Sequence, residues 1–323
     1  MKKVAVIGKI HEDGRRILKD SNFSIIDIPD FLNNTIDELK FVDAIAVRTA
    51  NLSEEVLKEC KSLKIVARHG VGYDTVDLDY LNRKNIALAI TGSANAATVA
   101  EHVISMFLNL CKLSKMSDQV VREGKFSQRE LLENRIELYQ KKILIIGFGR
   151  IGKALAKRCK GFETEVYVYD PYLDSSIISE NNCIPISFEE GLKIADFISL
   201  HLPLNAKTKY LIAKKELSKM KNTCILVNTA RGGIINEEDL HWALKNKVIH
   251  SAGLDVFEQE PPKENNPLFE IDNLILSPHN AALTLECKKR MGVETCQNIV
   301  NYLNDRSKLV LSNIVNREIL NLD

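Results

Sequence analysis

The sequence predicts an α/β fold of two doubly wound parallel-sheet domains, and three observations predict it. Apolar runs of four to seven residues alternate with amphipathic segments of ten to fifteen, the pattern of parallel strands covered by helices. Ten such runs occur, too many for one sheet of ordinary size. The 323 residues also exceed what a single hydrophobic core usually organises.

The strands are placed at 3–7, 43–47, 64–67, 86–90, 142–146, 165–169, 196–200, 223–228, 250–254 and 274–276. Between the fourth and fifth lies 94–116, apolar at helical spacing over about six turns. Glu101, His102, Asn109 and Lys112 would each be costly in lipid, so the segment reads as a long, mostly buried helix rather than a membrane span. No Pro/Gly/Ser linker, repeat or low-complexity tract separates the domains. The long helix is therefore the crossing into a second domain, and a helix starting near Leu285 is the crossing back. This predicts a discontinuous first domain, 1–97 plus 285–323, with 98–284 inserted into it.

Charge and cysteine usage narrow the function. Lys+Arg 44 against Asp+Glu 43 leaves a net charge of +1, which argues against a nucleic-acid or membrane-surface partner. The 7 cysteines are scattered, never spaced CxxC, and read as reduced core thiols. The opening MKKVAVIGKI has an apolar run that ends at Gly8, too short for a signal-peptide core, and reads as the first strand of a cytoplasmic protein. No metal-ligand spacing appears.

Residues 142–161, KILIIGFGRIGKALAKRCKG, give a strand, then Gly147-x-Gly149-x-x-Gly152, then a helix expected to stop at Gly161. Gly147 allows the tight turn, Gly149 the approach of a pyrophosphate, and Gly152 the close packing of helix on strand. Ile151 sits in the same turn, and Arg150 either lies over the pyrophosphate or is a solvated helix-start cation. The next strand, EVYVYD, ends in Asp170, 23 positions after Gly147, where a carboxylate bonds both ribose hydroxyls. Asp170 is followed by Pro171 and Tyr172, without Arg or Lys to accept a 2′-phosphate, so NAD is favoured over NADP.

In an open parallel sheet, ligands lie beyond the carboxyl ends of the strands. Those exits carry His201, Leu202 and Pro203; then Thr229, Ala230 and Arg231; then Asp255, with Glu260 five positions on; then His279. His201, Leu202 and Pro203 read as the wall of the cofactor cleft, and Thr229 and Ala230 are assigned to the cofactor as well. Arg231, followed by Gly232 and Gly233, offers a two-bond fork to a substrate carboxylate. A histidine beside a carboxylate has its protonated form favoured, so His279 with Glu260 suits proton transfer to and from a carbonyl oxygen.

Together GFGRIG, YDP, HLPL, NTARGG, GLDVFEQEP and SPHNAALT resemble the D-isomer-specific 2-hydroxyacid dehydrogenase family over nearly the whole chain. The resemblance implies a Rossmann NAD-binding domain inserted into a flavodoxin-like substrate domain, and a homodimer through the 97–116 helix region. It implies that Arg231 binds the substrate carboxylate and carbonyl, Glu260 orients the imidazole, His279 is the acid/base, and Asp255 holds the nicotinamide amide. The loop RHGVGYDTVD resembles the family's substrate loop, putting the Val71 and Gly72 amides near the carboxylate. Formate dehydrogenases carry Gln where this chain has Glu260, which argues against that subclass.

Arg48 and Arg68 follow apolar strands of the first domain and suit a substrate with a second anion, although Arg48 also reads as a solvated surface cation. In the phosphoglycerate dehydrogenase branch arginines at these places contact substrate, which implies 3-phosphoglycerate and a role in serine biosynthesis. His69, Tyr73 and TGSANAAT depart from that branch, so reduction of hydroxypyruvate or glyoxylate stands beside it, followed by longer 2-oxo acids. An NADH-sensing module without turnover uses the same fold and can keep the same residues, so it is the alternative from another class. Only 44 residues follow His279, so no serine-sensing domain is expected after it.

Overall fold

The computed structural model of the chain describes residues 1–132 and 135–322. Among the described residues it forms two compact units, 1–95 with 282–323 and 96–281, each built on one parallel sheet. The division falls at 95/96 and 281/282, where the sequence reading puts it at 97/98 and 284/285.

The first unit holds β1 (Lys3–Ile7), β2 (Ser24–Ile28), β3 (Ala44–Val47), β4 (Ile65–Arg68) and β5 (Ala87–Ile90), in the order β2-β1-β3-β4-β5. This is the flavodoxin-like doubly wound order. β3 and β5 are buried along their whole length, as continuous apolar runs in a sheet covered on both faces must be. β2 escapes the sequence reading because it is an edge strand, SIIDI, mostly half-exposed, with its apolar run broken by Asp27. The helix Leu285–Asn304 covers one face, started by Thr284, whose hydroxyl accepts the Cys287 amide.

The second unit holds β6 (Lys142–Ile146), β7 (Glu165–Tyr169), β8 (Ile184–Pro185), β9 (Phe197–Leu200), β10 (Ile225–Asn228), β11 (Ser251–Leu254) and β12 (Leu274–Leu276). Their order is β12-β11-β10-β9-β6-β7-β8. The chain winds outward one way from β6 to β8 and the other way from β9 to β12, so the order reverses between β6 and β9. That reversal is the switch point at which Rossmann sheets open a crevice for a dinucleotide. β8, a two-residue exposed edge, also went unforeseen.

The helix expected over 94–116 is shorter: it runs Ala96–Lys112, stops at Leu113 in the left-handed region (φ 50), and a second helix follows, Ser114–Arg122. The helix after the glycine loop, Arg150–Cys159, passes into a short 3-10 turn, Lys160–Phe162. The cysteines are buried free thiols, and removal from water pushes Cys159 and Cys296 up to about 12, which makes both inert at neutral pH. Among the described residues no helix is long and apolar enough to cross a membrane.

Candidate active site

The glycine loop leaves β6 at the switch point. A Cβ on Gly147, whose φ is +93, would lie 2.4 Å from the His201 carbonyl oxygen, and one on Gly152 would lie 2.3 Å from that of Gly147. Loop, helix and the β9 exit thus approach more closely than any side chain allows. His201 and Leu202 close over Gly147, the His201 imidazole bonds the Ser199 hydroxyl at 2.9 Å, and Pro203 accepts the Thr208 hydroxyl at 2.6 Å. Removal from water holds the His201 ring neutral, its pKa down at about 3, which fits a wall residue rather than a proton donor.

Two features fit a dinucleotide. Nothing lies within 4 Å of a Cβ placed on Gly149, so the start of the helix is open to a close-approaching phosphate. The Thr229 hydroxyl, at the β10 exit, is buried with no protein partner among the described residues, an orphan polar group that a bound molecule would satisfy. Arg150 and Ile151 form the first turn of the helix, and Ala230 is buried beside Thr229. Asp170, at the end of β7, is fixed by the Phe148 amide on Oδ2 (2.8 Å) and the Tyr172 amide on Oδ1 (3.0 Å).

His279 and Glu260, singled out in the sequence, are brought together. His279 Nδ1 lies 2.7 Å from Glu260 Oε2, and Glu260 Oε1 accepts the Phe257 amide at 3.1 Å. Burial works to raise the Glu260 carboxyl, but the hydrogen bonds from His279 and the Phe257 amide, with the charges of His279 and Arg231, outweigh it and hold it below the usual range. Glu260 is therefore an anion at neutral pH. His279 is a non-glycine residue in the left-handed region (φ 48), a backbone conformation that costs about 1–2 kcal/mol and clusters at functional sites.

Arg231 follows an Asn-built turn: the Asn228 side chain accepts the Ala230 amide (3.0 Å) and donates to the Arg231 carbonyl (2.8 Å). The guanidinium donates Nη1 to the Ala230 carbonyl at 2.6 Å. Gly232 lets this turn press on the loop carrying Glu260, since a Cβ there would sit 1.8 Å from the Phe257 carbonyl oxygen.

Asp255 is 1% exposed, and its carboxylate is engaged from within: Oδ1 accepts the Ser277 hydroxyl (2.6 Å) and the Asn280 amide (2.9 Å), Oδ2 the Ala281 amide (3.0 Å). Its carbonyl accepts the His279 amide at 2.8 Å. Asp255 thus anchors the segment that carries His279, a role the sequence reading missed; SPHNAALT contains the three donors, but only the fold brings them to one carboxylate. Arg231, Glu260, His279 and Asp255 all lie in the second unit, at adjacent exits of β10, β11 and β12.

In the first unit Arg48 and Arg68 stand at the ends of β3 and β4, which pair with each other. Between them, burial first, then the charges of Arg48 and Arg68, push the His69 imidazole down to about 4. Both arginine charges thus act on a buried neutral ring. Val71 and Gly72 are half-buried in the loop that follows, and Arg68 Nη1 donates to the His69 carbonyl at 2.5 Å.

A doubly wound sheet with an open glycine loop at its switch point, and a carboxylate ending the next strand, has the architecture of a dinucleotide-binding domain. Residues 104–281 match the model of the D-isomer specific 2-hydroxyacid dehydrogenase NAD binding domain. The chain belongs to that family, and its second unit carries the family's NAD-binding domain. It is 34% identical to the D-3-phosphoglycerate dehydrogenase of Methanocaldococcus jannaschii, across 98% of this chain and 60% of that protein, so it spans less than two thirds of that relative. It is 33% identical to the glyoxylate reductase of Korarchaeum cryptofilum, across 88% of this chain and 86% of that one. Among solved structures, the D-lactate dehydrogenase of Aquifex aeolicus, complexed with NAD and lactic acid, is similar at TM-score 0.84 and 30% identity, with 97% of this chain and 98% of that one covered.

Proposed function

We propose that the protein is an NAD-dependent oxidoreductase interconverting a D-2-hydroxy acid and its 2-oxo acid. The observation that carries this is the His279–Glu260 pair at 2.7 Å, beside Arg231 at the neighbouring exits of a dinucleotide-binding sheet. NAD, when bound, supplies the two-electron acceptor or donor. His279 moves the proton: protonated, it gives one to the carbonyl oxygen during reduction, and neutral, it takes one from the hydroxyl during oxidation. Glu260, ionised, holds the imidazole by Nδ1 and leaves Nε2 to face the substrate. Arg231 grips the substrate carboxylate with its two-bond fork.

The pair has a pH signature. The Glu260 carboxyl is held below its usual range, so the His279–Glu260 contact persists as pH falls until that carboxyl takes up a proton. Glu260→Gln is expected to lower kcat/KM for 2-oxo acid reduction about tenfold, because the anion that orients the imidazole is lost. Unchanged kcat/KM would remove Glu260 from the mechanism.

Cofactor choice rests on Asp170, whose anchored carboxylate suits ribose hydroxyls and repels a 2′-phosphate. NADH is expected to be preferred over NADPH by at least about tenfold, one charge-assisted interaction, and Asp170→Ala to narrow the gap. Comparing kcat/KM for the two cofactors checks this; equal use by the native protein would contradict it.

For the substrate, the placement of Arg48 and Arg68 at the ends of the paired strands β3 and β4 supports a second anion, and with it 3-phosphoglycerate and a place in serine biosynthesis. Hydroxypyruvate or glyoxylate reduction is the second reading, favoured by the glyoxylate reductase relative that this chain matches along most of both lengths. Steady-state assays of 3-phosphoglycerate with NAD, beside hydroxypyruvate, glyoxylate and pyruvate with NADH, separate them. Efficient phosphoglycerate turnover assigns the two arginines to the phosphate; activity on the unphosphorylated acids alone returns them to other roles.

A further inference from the structure

The His279 segment is braced from beneath by a side chain that the mechanism above does not use. His102 lies on the helix Ala96–Lys112, one turn before Met106, and half-buried with 25% of its side chain exposed. The helix meets the sheet closely there: a Cβ on Gly253, in β11, would lie 2.9 Å from the Met106 sulfur. His102 Nε2 is 3.0 Å from the Ser277 hydroxyl and 3.8 Å from Asp255 Oδ1.

The hydroxyl has one proton, and the 2.6 Å bond to Asp255 uses it. Ser277 Oγ must then accept from His102, which places a proton on Nε2. The result is a chain of donors, His102 to Ser277 to Asp255, ending on the buried carboxylate that also holds the Asn280 and Ala281 amides. Those amides flank His279 on its C-terminal side and Ser277 precedes it by two residues, so the chain restrains both ends of the strained segment. A hydroxyl turned away from Asp255 would leave that carboxylate under-satisfied in a buried place, at a cost of about 1–3 kcal/mol.

We infer that His102 is a positioning residue: through Ser277 and Asp255 it holds His279 in the left-handed conformation that keeps Nδ1 on Glu260. This rests on His279 being the proton donor proposed above. Charged groups around that imidazole are Glu260 at Nδ1, Arg231 beyond Glu260, and Asp255 beneath the main chain.

The test is a double-mutant cycle on the full-length protein, His102→Ala, Ser277→Ala and the pair, with His102→Gln retaining a donor at the Nε2 position. The readouts are kcat and KM for hydroxypyruvate reduction, NADH affinity, and the NMR resonance of the His279 Nδ1 proton that bonds Glu260. His102→Ala and Ser277→Ala are each expected to lower kcat about tenfold, with NADH affinity within about twofold, and to move that resonance upfield as the hydrogen bond to Glu260 lengthens. The pair should cost no more than either single change, and His102→Gln should recover most of the loss. Additive losses, an unmoved His279 resonance, or His102→Gln as impaired as His102→Ala would each overturn the inference. A native protein that reduces no 2-oxo acid would instead overturn the oxidoreductase reading, while the NMR comparison would still decide whether His102 positions His279.

Discussion

Replacing His279 with Asn is expected to lower turnover about a thousandfold while NADH affinity stays within about twofold, since a positioned acid/base contributes roughly 10²–10⁴ in rate. Asn is the informative replacement. His279 occupies the left-handed region, which Asn tolerates better than most residues, so the backbone of the segment is kept while the titrating ring is lost. The glycine loop and Asp170, which carry the cofactor in this account, are separate from the Asp255-anchored segment and should be untouched. Single-turnover kinetics with NADH fluorescence separates the two effects. A variant that keeps native turnover would remove His279 from the chemistry.

Gly232→Ala is expected to be the most damaging conservative change in the second unit. Its new methyl would sit 1.8 Å from the Phe257 carbonyl oxygen and 2.7 Å from the Glu258 amide nitrogen, both backbone atoms that cannot rotate aside. Relief requires the Arg231 turn to part from the Glu260 loop. The loop resists, because Glu258 and Glu237 exchange hydrogen bonds, each side chain accepting the other's amide (2.8 and 2.6 Å), and Tyr210 donates to Glu258 at 2.9 Å. Overpacking of this kind costs about 3 kcal/mol, a fall in Tm of roughly 6–12 °C for a unit of this size. Activity should fall further than stability alone explains, because the same displacement separates Arg231 from Glu260. Thermal unfolding with and without NADH, beside kcat/KM, checks this; a native Tm would show that the two loops do not meet as described.

Much of this was legible in the residues. The long apolar runs became the central strands because a parallel sheet covered on both faces demands unbroken hydrophobicity. β2 and β8 were not legible, since these edge strands are half-exposed or exposed and lack an unbroken run. The break at Leu113 has no Gly or Pro to announce it. Arg231, Glu260 and His279 could be read from their place at strand exits, and Asp170 from its spacing after the glycine loop. The bracing set of His102, Ser277 and Asp255 could not, because 175 positions separate His102 from Ser277 and only their through-space hydrogen bond joins them. Asp255 itself was noticed at its exit, but its two oxygens turn inward to the His279 segment, a fact only the folded main chain supplies.

The central claim is that the protein moves hydride between nicotinamide and C2 of a D-2-hydroxy acid with His279 handling the proton. Its most direct test is turnover of hydroxypyruvate and glyoxylate with NADH carrying deuterium at C4 of the nicotinamide, followed by chiral analysis and mass spectrometry of the hydroxy acids. The account predicts that deuterium appears at C2 of the product and that the chiral product from hydroxypyruvate is the D-isomer. Tight NADH binding with no turnover of these acids, and none of 3-phosphoglycerate with NAD, would contradict it and point instead to a protein that senses the cofactor without using it.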